Sequence, residues 1–244
     1  MSYARSLRIL STFLFVGFTP VFGAQEAIPT RPEIQVTAHL AMPRQSHRSS
    51  SRVQQNAIPA VIWLKPVQGD AANRVAPGGF TLLQQNKMFL PHLLVVPVGS
   101  SVAFPNADPF FHNVFSLFDG RRFDLGLYEA GSTRSVTFSR EGVSYIFCNI
   151  HSEMSAVVIS LSTPYHAVAD AQGFFHLRNI PEGDYEMHIW VEGRRQNSLE
   201  GLTHRIHIAA NASDLGEIGM GAPEQKNHTN KFGRPYDPDP NPIY

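Results

Sequence analysis

Cysteine occurs once in the 244 residues, as Cys148. It heads the stretch Cys148-Asn149-Ile150-His151-Ser152-Glu153-Met154, and His112, followed by Asn113, stands 36 residues upstream. A thiolate, two imidazoles and a thioether are the ligand types of a type 1 copper centre, a trigonal site of two His and one Cys with a weak axial Met. Soft sulfur suits Cu(I) and imidazole tolerates both oxidation states, so a rigid set of this kind lets a metal change charge with little rearrangement. The competing account is a lone cysteine acting as a small buried hydrophobe, with His and Met nearby by chance. Zinc is the chemical rival, since Cys and His bind it well. Methionine is a poor zinc ligand, however, and no fourth Cys, His or carboxylate has obvious spacing. Glu153 could serve only if its loop turned outward.

Ligands at those positions must be gathered by strands. Residues 143–148 read as one strand and 156–161 as the next, so the loop between them presents three side chains to one point. His112 arrives at the start of a strand over 113–117. Further short strands are expected at 80–84, 92–98, 101–105 and 134–138, separated by Pro97-Val98-Gly99, Asp119-Gly120, Ala130-Gly131 and Glu141-Gly142. Strands at that spacing predict a β-sandwich or barrel. After Pro164 a second unit is expected, with strands at 166–169, 174–180, 185–191 and 203–209. Upstream, Glu33–Ala41 alternates apolar and polar residues with period two, the pattern of a half-buried strand, and 60–64 is a short apolar run. The 18 Gly and 18 Pro favour short strands and turns over long helices.

The motifs Phe89-x-Pro91, Val98-Gly99-x-x-Val102-x-Phe104-x-Asn106, His112-Asn113-Val114 and Cys148-x-x-His151-x-x-Met154 resemble the cupredoxins, the small blue copper proteins of the plastocyanin and amicyanin type. The short Cys-to-Met spacing is more similar to amicyanin. Asn86 to His92, Phe123-Asp124-Leu125-Gly126 and Cys148-Asn149-Ile150-His151 look like the plastocyanin-like proteins often labelled methylamine utilization proteins. The resemblance covers about residues 78 to 161. It implies one copper held by His112, Cys148, His151 and Met154, with Asn113 tethering the ligand loop and hydrogen-bonding around the sulfur. Asp170-x-x-Gly173-x-Phe175-x-Leu177-x-x-Ile180-Pro181-x-Gly183-x-Tyr185 is similar to the small β-sandwich of carboxypeptidase regulatory-like domains, which implies no catalysis. The fold class is therefore all-β, a Greek-key cupredoxin sandwich plus this smaller one. Either the strands at 34–40 and 60–64 complete the second sandwich, with the copper domain inserted into it, or residues 59–66 are the first cupredoxin strand.

The expected organisation is a signal peptide over 1–24, N-terminal strands and a polar loop over 25–77, the copper domain over 78–162, the second sandwich over 163–220 and a disordered tail over 221–244. Arg5 and Arg8 precede a short apolar run from Ile9 to Phe18, with Gly23 and Ala24 as small residues beyond it, which reads as a secretory leader and predicts a periplasmic protein. Its cleavage would leave 18 basic against 20 acidic residues. No later run approaches the roughly 20 apolar residues of a membrane span. A formal charge of zero excludes a basic field for nucleic acid.

The function expected is a carrier of single electrons between redox partner proteins, for example a cytochrome or a dehydrogenase. No His-x-His or His-Cys-His occurs and no Ser-His-Asp order is recognisable, so no enzyme is expected. The alternatives are a copper storage or delivery protein, and an adhesive module with a vestigial site; six dispersed Met give little support to storage. His92 has three readings, a solvent-facing strand residue, a supporting group near the metal or a partner contact, while His204 and His207 point to opposite faces and make a poor metal pair.

Overall fold

In the computed structural model, which describes residues 33–41, 58–69, 76–117, 120–194, 196–220 and 230–235, the chain is almost wholly strand. The expected leader and the polar loop at 43–52 lie outside these residues. Two strands come first, β1 (Glu33–Ala41) and β2 (Ala60–Pro66). Ten follow: β3 (Gly79–Thr81), β4 (Leu83–Gln85), β5 (Met88–Leu90), β6 (Leu93–Pro97), β7 (Ser100–Pro105), β8 (His112–Ser116), β9 (Phe123–Tyr128), β10 (Thr133–Phe138), β11 (Gly142–Phe147) and β12 (Ser155–Leu161). The last group is β13 (His166–Val168), β14 (Phe174–Pro181), β15 (Gly183–Val191), the short helix α1 (Gln196–Glu200), β16 (His204–Ile208) and β17 (Asp214–Gly219).

The middle group builds one sandwich. A three-stranded sheet in the order β10-β7-β3 faces a five-stranded sheet in the order β6-β12-β11-β8-β9. Phe89, Phe104, Phe138, Ile146 and Val158 fill the space between, with Cys148 and Met154 at its edge. The outer group builds a second sandwich, from sheets ordered β13-β2-β15-β16 and β14-β1-β17. In β1 the alternation read from sequence is realised: Ile34, Val36, Ala38 and Leu40 are buried while Glu33 and Gln35 are exposed. Its close packing needs glycine at the β13–β14 turn, because a Cβ on Gly173, at φ +88°, would lie 3.1 Å from the Leu40 carbonyl oxygen.

Trp63 decides between the two arrangements left open above. It pairs with His166 on one side and His188 on the other, so β2 lies in the sheet of the C-terminal strands. β1 likewise pairs with β14 and β17. Strands β3 to β12 are thus enclosed in chain order between the two parts of the outer sandwich. The two sandwiches share β12. Its Ala156 and Val158 face the inner core, while Val157, Ile159 and Leu161 join the core that holds Val61, Ile62 and Trp190. A strand buried on both faces must read as a continuous apolar run rather than an alternation, as Ala156-Val157-Val158-Ile159 does.

Several expectations need correction. The strand expected at 80–84 is two strands broken at Leu82, whose N–H turns to the Ala103 carbonyl. β5, β9 and β17 were not expected. In β9 and β17 a glycine interrupts the apolar pattern, Gly126 at φ +68° and Gly216 at φ +69°, and β5 has only three residues. The tail expected to be disordered from 221 contains an ordered turn at 230–235, held by hydrogen bonds to Asn149 and Asp124; residues 221–229 and 236–244 lie outside the described set.

Candidate metal centre

His112 opens β8, Cys148 directly follows β11, and Met154 directly precedes β12. The loop between the last two is closed by backbone bonds, Cys148 N–H to the Met154 carbonyl at 3.2 Å and Met154 N–H to the His151 carbonyl at 3.1 Å. That closure brings His151 back over the sulfur. Cys148 Sγ lies 3.8 Å from His112 Nδ1 and 3.6 Å from His151 Nδ1, and the two nitrogens are 3.2 Å apart. A triangle with those sides has a centre about 2 Å from every corner, the length of a metal–imidazole bond and slightly short of a metal–thiolate bond. Among the described residues this is the one cluster of three or more His, Cys or carboxylate side chains able to converge on a metal ion. Met154 is fully buried in the same core cluster as Cys148.

The nitrogen chemistry agrees with ligation. His112 is wholly buried, and its Nε2 lies 2.8 Å from Asp108 Oδ2. Burial pushes the Asp108 carboxyl up, but the N–H groups of Lys87 and Asn86 and the ring of His112 outweigh it and hold the group below the usual carboxylate range. An ionised carboxylate only accepts, so His112 Nε2 carries the proton and Nδ1 presents its lone pair to the cluster. Burial lowers the His112 pKa despite Asp108. His151, lowered by burial and by the neighbouring His112 and Lys87, falls to about 4 and is a neutral imidazole at pH 7. Burial raises the Cys148 thiol, while the backbone N–H groups of Asn113, Ile150 and His151 draw it back down. Without a cation the sulfur stays protonated; a bound metal ion would displace that proton.

Asn113 reaches the sulfur through its backbone N–H. Its side-chain amide donates to Asp124 Oδ1 on β9 at 2.8 Å, and its own Oδ1 is buried with no hydrogen-bond partner among the described residues. Phe110 lies against both imidazoles, with centroids 5.2 Å from His112 and 5.5 Å from His151, and Lys87 Nζ stands 5.6 Å over its ring. Phe111 beside it is exposed. Sequence reasoning missed Asp108 and Asp124. The signal for Asp108 was a carboxylate one helical-turn length before the first imidazole, in Asn106-Ala107-Asp108; Asp124 lay inside a strand that went unrecognised. His92 belongs elsewhere. Its Nδ1 bonds the Ser155 carbonyl at 3.0 Å and its Nε2 bonds Glu192 at 2.5 Å, so it bridges the two sandwiches, half-exposed. His204 and His207 take separate partners, the Leu202 carbonyl and Asp184.

No family model matches the chain, and no curated protein matches it. Among solved structures it is similar to a copper-containing nitrite reductase from Thermus scotoductus SA-01, at 22% identity and a TM-score of 0.34, over 40% of this chain and 28% of the reductase. It is also similar to a purple cupredoxin from Nitrosopumilus maritimus, at 22% identity and a TM-score of 0.30, over 34% of this chain and 99% of that one. A reduced variant of amicyanin aligns at 21% identity and a TM-score of 0.33, over 41% and 98%. The metal centre rests on its own side chains.

Proposed function

We propose that the chain is an exported one-electron carrier of the cupredoxin kind, with one type 1 copper held by His112, Cys148 and His151 and Met154 as the weak fourth ligand. The observation that carries this reading is the triangle of two nitrogens and one sulfur, 3.2 to 3.8 Å on a side, around a point at bonding distance from all three. Copper there would pass between Cu(I) and Cu(II), one electron at a time. The chain's own residues supply the rigidity such exchange needs. Asp108 fixes the His112 tautomer, the two backbone bonds close the ligand loop, and Phe110 packs against both rings. His151 is the least buried of the four ligands and is the edge through which a redox partner protein, a cytochrome or a dehydrogenase, would exchange the electron. The proposal assigns the chain no catalysis of its own. A periplasmic location is proposed on the leader-like pattern of residues 1–24, and the similarity to methylamine utilization proteins, like that of residues 163–220 to carboxypeptidase regulatory-like domains, stands at the same level.

The test is optical. Copper-loaded protein should be strongly coloured by thiolate-to-Cu(II) charge transfer, and Cys148→Ser should bind copper without that colour; a colourless wild-type holoprotein overturns the reading. Full burial of His112, Cys148 and Met154 argues for retention over delivery. Reversible oxidation and reduction without loss of Cu(I) to a competing chelator would therefore separate a carrier from a delivery protein.

A further inference from the structure

The turn at 230–235 closes on Asn230. Its Oδ1 accepts the N–H groups of Phe232 and Arg234 at 3.0 and 3.1 Å, its N–H reaches the Arg234 carbonyl at 2.9 Å, and its carbonyl accepts Gly233 N–H at 2.9 Å. Gly233 sits at φ +74°, a conformation that glycine adopts without strain. This preformed hook presents Lys231 twice. Its N–H donates to Asn149 Oδ1 at 3.1 Å, and its Nζ reaches Asp124 Oδ2 at 2.8 Å.

Both acceptors belong to the support of the sulfur. Asn149 is the residue after Cys148. Asp124 uses its other oxygen to accept Asn113 Nδ2 at 2.8 Å and Gly126 N–H at 2.9 Å, and Asn113, next to His112, aims its backbone N–H at Cys148 Sγ. One lysine therefore grips β9, whose Asp124 holds Asn113 beside the first imidazole, and the loop that carries the sulfur, from partners 107 and 82 residues away in sequence. Two contacts from one rigid turn reinforce each other, because once either forms the second is intramolecular.

We propose that Lys231 is a positioning residue of the metal centre, clipping Asp124 and Asn149 together so that the hydrogen-bonding shell of Cys148 stays closed. Its effect on copper properties rests on the function proposed above; its effect on the closed shell does not. The experiment uses the full chain in two forms. In the metal-free form, alkylation of the buried Cys148 by iodoacetamide reports how often the shell opens. Lys231→Met, which loses the contact to Asp124 and keeps the backbone one to Asn149, should raise that rate about fivefold, and Lys231→Arg should stay within about twofold of wild type, since Arg keeps the charge. Arg205→Met, an exposed charge on β16, should change nothing. In the copper-loaded form, Lys231→Met should shift the reduction potential and the charge-transfer maximum, and Arg205→Met should not. A chain ending at Thr229, which loses both contacts, should shift both readouts in the same direction as Lys231→Met and at least as far. Wild-type alkylation rates in both Lys231→Met and the shortened chain overturn the proposal. A chain that never becomes coloured overturns the copper reading, while alkylation still decides the clip.

Discussion

Asp108 shows how much of the centre is set by a residue that is itself no ligand. It takes two backbone N–H groups and one imidazole proton on a single buried carboxylate, and so decides which nitrogen of His112 is free. Asp108→Asn keeps the shape but removes the charge that holds that proton. Carboxylate partners of ligating histidines are worth about 10- to 100-fold in metal affinity, and a loss in that range is expected for Cu(I) in competition with a chelator. An unchanged affinity would mean that packing alone orients His112. Two members of the cluster, Cys148 and His151, were legible in the sequence because Cys-x-x-His is a local pattern, and His112 joins them from 36 residues upstream. Asp108 was not, because what makes it matter is the pair of N–H groups contributed by Asn86 and Lys87, about twenty residues upstream.

At the scale of elements, β11 and β12 divide the work. Ile146 on β11 is fully buried in the inner core, two residues before Cys148, and Ile159 on β12 is fully buried in the core shared with the outer sandwich. Truncation of either to Ala should cost about 2 to 5 kcal/mol of unfolding free energy. Only Ile146→Ala should also broaden or shift the charge-transfer band, as the sulfur's strand settles into the cavity. Equal optical effects from both would show that the inner core does not isolate the centre. Much of this layer was legible. Glu33–Ala41 was read to the residue because one face is wet and the other dry, and the 60–64 run because both faces are dry. β9 and β17 escaped because each carries glycine and charge where a strand pattern needs apolar residues, and their pairing comes from neighbours, β8 and β1, distant from them in sequence or turned by a bulge.

For the whole molecule, the join between sandwiches is apolar in its middle and charged at its rim. Trp190 Nε1 donates to Tyr145 Oη at 3.1 Å across it, and the rim includes Lys65 with Glu141 and His92 with Glu192. The hydrogen bond to Glu192, opposed by partial burial, raises the His92 pKa above 6.5. A raised folded-state value means that this link contributes fully below pH 6.5 and fades as the pH climbs through the folded value. The pair is half-exposed, so its contribution is at most about 1 kcal/mol. Glu192→Gln should therefore lower stability to urea most just below pH 6.5, and the difference from wild type should shrink toward alkaline pH. A deficit that grew with pH would contradict the assignment.

The interleaved connectivity also imposes a timetable. Thr37 on β1 bonds Asp214 on β17, 177 residues later, and the other neighbour of β1 begins at Phe174. The strands that gather His112, Cys148 and His151 all lie between 79 and 161 and find their partners within that span. β1 precedes all of them, and both of its edges pair only with strands that follow them, which is the slow, long-range kind of closure. The first of the described strands is thus among the last to find its partners.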